Sequence, residues 1–452
     1  MRKLRLGTAG MRGVVGEGLN PLQTIDFASA FGTFCGGGKV LVACDTRFSS
    51  ELLVNAVTSA LIACGCETIN AGILSAPEAS FAVTLLDADG GLLIGGGHQP
   101  QGWNAIIPLG PDGAYLNPTM LQEFLDIYHS HRYLSKSWNG LGSECMIMSD
   151  CTNKYFDRLC SLLDVDAIRK QNYTVVVDYC NGSGTFAGDM FAEHLGIRLI
   201  PINNISSGAL PHDPEPRPRS AFQVRAVMSP LQADIGFVFN TDVSRFSVVT
   251  DTGETLSEEY SFPLAAAHVL ETEKNAVVVT NSCTTKSLDD VAHAAGAKVV
   301  KTLVGQAEVV TAMREYDALL AGDGSGCITM RGGVAAFDAW LGAALVLEAM
   351  ALGGKSSSEL SHALPRYHIV KRKIPCSSIH AYSLIRSLRG TFDGAKESFV
   401  DGLRCDWPNG WLSLRASSTE PVIRMITEWD TMEKAEDMAL EVTARIERMI
   451  AQ

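Results

Sequence analysis

The chain has 452 residues, too many for one hydrophobic core, and this length predicts about three domains with a fourth allowed. Hydrophobic residues make up 46% and charged residues 19%, and the formal net charge is −13, a globular composition that argues against DNA or RNA as a partner. The N-terminus, MRKLRLGTAGMRG, follows charge with glycine instead of an apolar segment, unlike a signal peptide, and no apolar run approaches the about 20 residues of a membrane span. The expectation is a cytoplasmic protein without membrane contact. Its twelve cysteines are scattered, and the close pair Cys64 and Cys66 lacks a second pair at zinc spacing, which predicts buried reduced thiols.

Along the chain, KVLVACD, SSELLVNAVTSALIACG, ETINAGIL, APEASFAVTLLDAD and GGLLIGGG read as strand, helix, strand, helix, strand, the alternation of an α/β unit. The pattern restarts at YTVVVDYCNGSG, continuing through TFAGDMFAEHLG and IRLIPI. It restarts again at NAVVVTNSC, followed by TTKSLDDVAHAAG, AKVVKTLVG and a helix through EVVTAMREY. The last stretch differs: YHIVKRKIP, SFVDGLRCDWPNGWLSLRAS and VIRMITEWD read as strands before one long helix, TMEKAEDMALEVTARIERMIA, an α+β domain. The proline-bearing ALPRYHIVKRKIP is read as the linker that precedes it.

Five polar segments read as loops carry candidate chemistry. In LGTAGMRGVVGE, glycines surround Thr8 and Arg12, which suits one guanidinium over an anion or a plain glycine turn. In GGGHQP, Gly95, Gly96 and Gly97 precede His98, Gln99 and Pro100; consecutive glycines form either a phosphate-binding nest or a tight turn. In FNTDVSRF, Asn240, Asp242 and Ser244 alternate after a buried strand and could meet on Mg2+, but one carboxylate among three predicts weak metal binding or none. In AGDGSG, Asp323 and Ser325 suit sugar hydroxyls or an Asp-Gly turn. In LRASSTEPVIRM, Arg415, Ser417, Ser418, Thr419 and Arg424 form a cationic cup rich in donors, suited to a phosphate monoester.

Taken in order, these segments resemble the α-D-phosphohexomutase superfamily, which includes phosphoglucosamine mutase, phosphomannomutase and phosphoglucomutase. GTAGMRG is similar to its G-T-x-G-x-R-G, ACDTRFSS to its G-x-D-x-R-x-S, GDGSG to its G-E-x-S-G sugar loop and RASSTEPVIR to its R-x-S-G-T-E-P-x-x-R phosphate loop. The resemblance implies a four-domain α/β architecture: three related α/β domains, 1–149, 150–251 and 252–366, and a C-terminal α+β domain, 367–452, around a central cleft. It implies transfer of phosphate between the 1- and 6-positions of a hexose through a phosphoserine and Mg2+, and a homodimer as the common form.

Three departures bear on that chemistry. The catalytic loop T-[AG]-S-H-N-P is replaced by GGGHQP, with Gly97 at the phosphoserine position, and glycine has no nucleophilic oxygen. N-G-x-K becomes Asn104, Ala105, Ile106, Ile107, where isoleucine cannot move a proton. D-x-D-x-D-R becomes Asn240, Thr241, Asp242, Val243, Ser244, Arg245. The phosphate-loop residues and Ser325 are kept, Asp323 stands for a glutamate and Ser418 for a glycine. The first expectation is therefore a protein that binds a hexose or hexosamine phosphate without mutase turnover, regulatory or a partner of an active mutase, with Arg12 and His98 left at the old catalytic site. The alternatives are an active mutase whose missing groups come from elsewhere, such as a bound bisphosphate sugar, and a repurposed phosphosugar enzyme using His98 as acid, base or phosphoryl acceptor.

Overall fold

The computed structural model describes residues 4–146, 150–417 and 421–451, and these divide into two compact units. One unit comprises residues 2–261 and 325–361, the other residues 262–324 and 362–452.

The first unit contains a seven-stranded sheet with the strand order Leu4–Gly7, Gly10–Val14, Trp103–Leu109, Gly90–Ile94, Lys39–Cys44, Glu67–Ile73, Ser143–Met146. Lys39–Cys44, Glu67–Ile73 and Gly90–Ile94 run parallel, and their interior residues read as near-continuous apolar runs because helices cover both faces. One face buries Phe27, Phe31 and Phe124, the Phe27 and Phe124 rings meeting edge to face at 4.8 Å. The other face buries Ala79, Ala82 and Val83 of helix Ala76–Leu85. The N-terminal segment read as a loop is instead a hairpin. Gly10, at φ +75°, turns the chain, and Gly10–Val14 pairs with Leu4–Gly7 and Trp103–Leu109, so Arg12 sits on a strand opposite Ala105.

The same unit holds a four-stranded sheet ordered Phe246–Thr250, Ile235–Phe239, Thr174–Asp178, Arg198–Ile202. Helix Ala339–Gly353 supplies Trp340 to its core, 4.7 Å from Phe191 and 5.0 Å from Phe239 between ring centroids. Residues 339–350 of that helix are buried on every side, which is why its sequence, AWLGAALVLEAM, shows no polar face.

In the second unit, Val277–Asn281 lies between Lys298–Thr302 and Leu320–Asp323 in parallel register. A five-stranded antiparallel sheet runs His368–Pro375, Val422–Trp429, Gly410–Ala416, Leu403–Trp407, Lys396–Ser398, backed by helices Ser378–Ser387 and Met432–Ala451. The stretch read as a linker is thus largely an edge strand, paired along its length from His368 with Trp429 to Pro375 with Val422. Its alternating side chains fit one covered face, and its proline stands at the end of the strand, where a missing N–H is tolerated. No helix among the described residues is long and apolar enough to cross a membrane.

Candidate active-site loops and phosphate loop

Strand Gly90–Ile94 delivers Gly95 to His98 at its C-terminal end, the usual place for a ligand loop. The loop is held by residues about fifty positions upstream. Asp45 Oδ2 accepts from Gly96 N at 2.8 Å, while Oδ1 accepts from Arg47 N and from Ser50 Oγ. The Arg47 guanidinium donates to four carbonyls, those of Gly97, Gln99, Pro100 and Trp103, at 2.6–3.2 Å. Residue 96 must be glycine for this, since a Cβ there would lie 2.0 Å from the guanidinium. Two of the glycine amides are already engaged within the protein, Gly95 N donating to Ala105 O and Gly96 N to Asp45 Oδ2.

Gly97 adopts φ +50°, and an ideal Cβ on it would stand 2.6 Å from Asp242 Oδ2. Its carbonyl accepts from Thr241 Oγ1 at 2.7 Å, which joins this loop to residues 240–244. His98 is partly buried, with Nε2 3.0 Å from Gln99 Nε2. Its pKa is held well below the usual histidine value, first by Arg245, then by burial, Arg12, Arg47 and Arg217, so the imidazole is neutral near pH 7. Three of those arginines are also paired, Arg47 with Asp45 at 3.3 Å, Arg217 with Glu215, and Arg245 with Glu215 at 3.8 Å. The residue after Asn104 and Ala105 on buried strand Trp103–Leu109 is likewise apolar, and Ile107 brings no titratable group.

The segment 240–244 is closed on itself. Asn240 Oδ1 accepts from Ser244 N and Arg245 N, each at 3.0 Å, which fixes the amide and turns its Nδ2 toward Asp242 Oδ1 at 2.7 Å and Ser244 Oγ at 3.1 Å. Asp242 Oδ1 also accepts from Ser244 N at 3.1 Å and Ser244 Oγ at 2.6 Å. Two helix N-termini steady the backbone: Ala76 N donates to Asp242 O and Ala339 N to Val243 O. Val243, buried and β-branched, is driven to φ +57° between them. These side chains do not fit Mg2+: one carboxylate remains, one of its oxygens already takes three donors, and an amide N–H points inward where a cation needs oxygen lone pairs.

Asp323 ends strand Leu320–Asp323, nearly buried, and its Oδ2 accepts from Asn281 Nδ2 at 3.2 Å. Ser325 follows two residues later, on the other side of the border between the two units. Arg415 and Arg424 are brought together as register partners on Gly410–Ala416 and Val422–Trp429. Arg415 Nε lies 3.5 Å from Asp401 Oδ2, and Ser417 N donates to Val422 O at 3.0 Å, closing the base of the loop. Ser418 and Thr419 lie outside the described residues. Asp45 and Arg47 fall within the ACDTRFSS match and Thr241 within 240–245, but the partners of these residues, like Asp401 beside Arg415, lie too far along the chain for spacing to reveal.

Four successive matches cover most of the chain. Residues 3–134 match phosphoglucomutase/phosphomannomutase alpha/beta/alpha domain I, 153–253 domain II, 257–367 domain III and 374–445 the C-terminal domain. The chain belongs to the α-D-phosphohexomutase superfamily. A protein of Pyrococcus abyssi named "Probable phosphoglucosamine mutase" is 31% identical over 96% of this chain and 95% of its own length. A phosphoglucomutase/phosphomannomutase family protein from Burkholderia thailandensis superposes with a TM-score of 0.84 at 25% identity, covering 96% of each chain. An N-acetylphosphoglucosamine mutase of Aspergillus fumigatus, solved with GlcNAc-6P and magnesium, shares the fold at a TM-score of 0.55 and 15% identity, over 90% of this chain and 82% of that one.

Proposed function

We propose that this phosphohexomutase relative binds a hexose or hexosamine phosphate and does not use the family's serine carrier. The observation that carries the reading is the contrast between two sites. Arg415 and Arg424 stand opposite each other at the base of the phosphate loop, a pairing that an anion between them would stabilise. At the other site, residue 97 has no side chain and its Cβ direction is filled by a carboxylate oxygen. GlcNAc-6P in the Aspergillus relative supports an amino sugar phosphate as the first ligand to try.

An active mutase is the second reading, and the relatives favour it: their names are those of mutases, and nothing about them speaks for lost activity. The geometry adds the condition that any turnover proceeds without an oxygen on residue 97. Titration calorimetry with glucosamine 6-phosphate, mannose 6-phosphate and glucose 6-phosphate tests the binding. An assay of 1- and 6-phosphate interconversion, with a hexose 1,6-bisphosphate present, then separates the two readings. Absence of binding to any of the three sugars would remove the first.

A further inference from the structure

We propose that Asp242 is the phosphoryl acceptor of this chain, its Oδ2 taking over the carrier role that the phosphoserine position has lost. The proposal rests on the reading that a hexose phosphate binds here.

Three observations converge on that atom. Asp242 Oδ2 stands 2.6 Å from where a Cβ on residue 97 would begin, so the carboxylate reaches into the place of the missing side chain. Asp242 Oδ1 is fixed by Asn240 Nδ2, Ser244 N and Ser244 Oγ, whereas Oδ2 makes no hydrogen bond among the described residues. The orientation of the carboxylate is therefore set before any ligand arrives, which is what an in-line attack requires. Finally, the neighbouring loop lies in the positive field of Arg12, Arg47, Arg217 and Arg245, the same charges that keep His98 neutral. Guanidiniums there offset the repulsion between a carboxylate and an incoming phosphoryl group, the task that a cation performs elsewhere. His98 is the competing acceptor, but its Nε2 already faces the Gln99 amide.

The step is a displacement at phosphorus. A lone pair of Oδ2 forms the new P–O bond on one phosphoryl group of a hexose 1,6-bisphosphate. The P–O bond to the sugar breaks, and the sugar oxygen leaves with that electron pair and takes a proton from water. The acyl phosphate then returns its phosphoryl group to a sugar hydroxyl, whose proton passes to solvent, and the Asp242 carboxylate is regenerated.

The test uses the full chain with a hexose 1,6-bisphosphate labelled in its phosphates, in the presence of EDTA. Borohydride reduction converts an acyl phosphate to homoserine, which peptide mass spectrometry locates. The expected result is homoserine at position 242, with label falling by roughly tenfold or more in Asp242→Asn while calorimetric binding of the sugar persists. Gly97→Ala provides a second variant: its methyl group displaces Oδ2 and lowers the label with Asp242 intact, and thermal unfolding verifies that both variants fold. Bisphosphate binding without modification of Asp242, or label on His98, overturns the assignment alone. Absence of any sugar phosphate binding overturns it together with the functional reading beneath it.

Discussion

Arg415 and Arg424 face each other directly across two antiparallel strands, with Asp401 3.5 Å from the Arg415 Nε. Two guanidiniums at directly opposed register positions give the base of this loop a cationic character suited to a phosphate group. Arg424→Leu is expected to weaken glucosamine 6-phosphate binding by roughly 10- to 100-fold, the loss of a charge-assisted hydrogen bond. The variant should remain folded. Calorimetry and thermal unfolding on the same preparation measure both, and an unaltered affinity would show that the phosphate sits elsewhere.

Restoring a serine at position 97 should not restore serine-carried transfer. The backbone there is left-handed, and the new Cβ would meet Asp242 Oδ2. Gly97→Ser is expected to cost about 1 kcal/mol or more of stability, read as a lower urea midpoint, and to show no phosphoserine after incubation with a hexose 1,6-bisphosphate.

Magnesium chloride and EDTA should give the same unfolding midpoint, because the interior of residues 240–244 is already filled with hydrogen bonds. Asn240→Asp combined with Ser244→Asp would replace those donors by carboxylates. That double variant is expected to become magnesium-dependent, its midpoint rising with added cation by linkage. A magnesium-dependent midpoint in the unaltered protein would contradict the hydrogen-bonded account.

Asp338 caps helix Ala339–Gly353 and takes a hydrogen bond from Tyr155 at 2.7 Å. Burial pushes its pKa up to about 7, with the charge of nearby Glu78 in the same direction, against the lowering effect of its hydrogen bonds. The folded form therefore holds a proton that the unfolded chain releases near the ordinary aspartate value. This contribution to stability is largest at low pH and is lost as pH rises from about 4 to about 7. Asp338→Asn, a good cap itself, should flatten that part of the pH profile, as urea titrations at pH 5 and pH 7 would reveal.

Val243 combines a buried β-branched side chain with φ +57°. Strain of about 1–3 kcal/mol offsets a comparable gain from burial. Val243→Gly is expected to be nearly neutral, whereas Val177→Gly, in an ordinary buried strand, should lose several kcal/mol.

The alternation of apolar strands and helices was legible because parallel strands covered on both faces read as short continuous runs, such as VLVA and VVVD. The N-terminal hairpin was not, since its glycines hide a strand whose pairing with Trp103–Leu109 is long-range. The phosphate-loop pair was visible as two arginines, but spacing alone does not reveal that they are register partners. Loss of the serine could be read directly from GGGHQP. The approach of an Asp242 oxygen to that position could not, because the two residues lie far apart in the chain and are brought together by long-range ties such as that between Gly97 O and Thr241.

The buried helix Ala339–Gly353 sets the order in which the chain can be completed during synthesis. The sheet of Thr174–Asp178 and Ile235–Phe239 emerges from the ribosome long before Trp340, the ring that fills its core beside Phe191 and Phe239. Until then that apolar surface waits for a partner encoded after an entire intervening segment, and surface left uncovered in this way is open to misassociation.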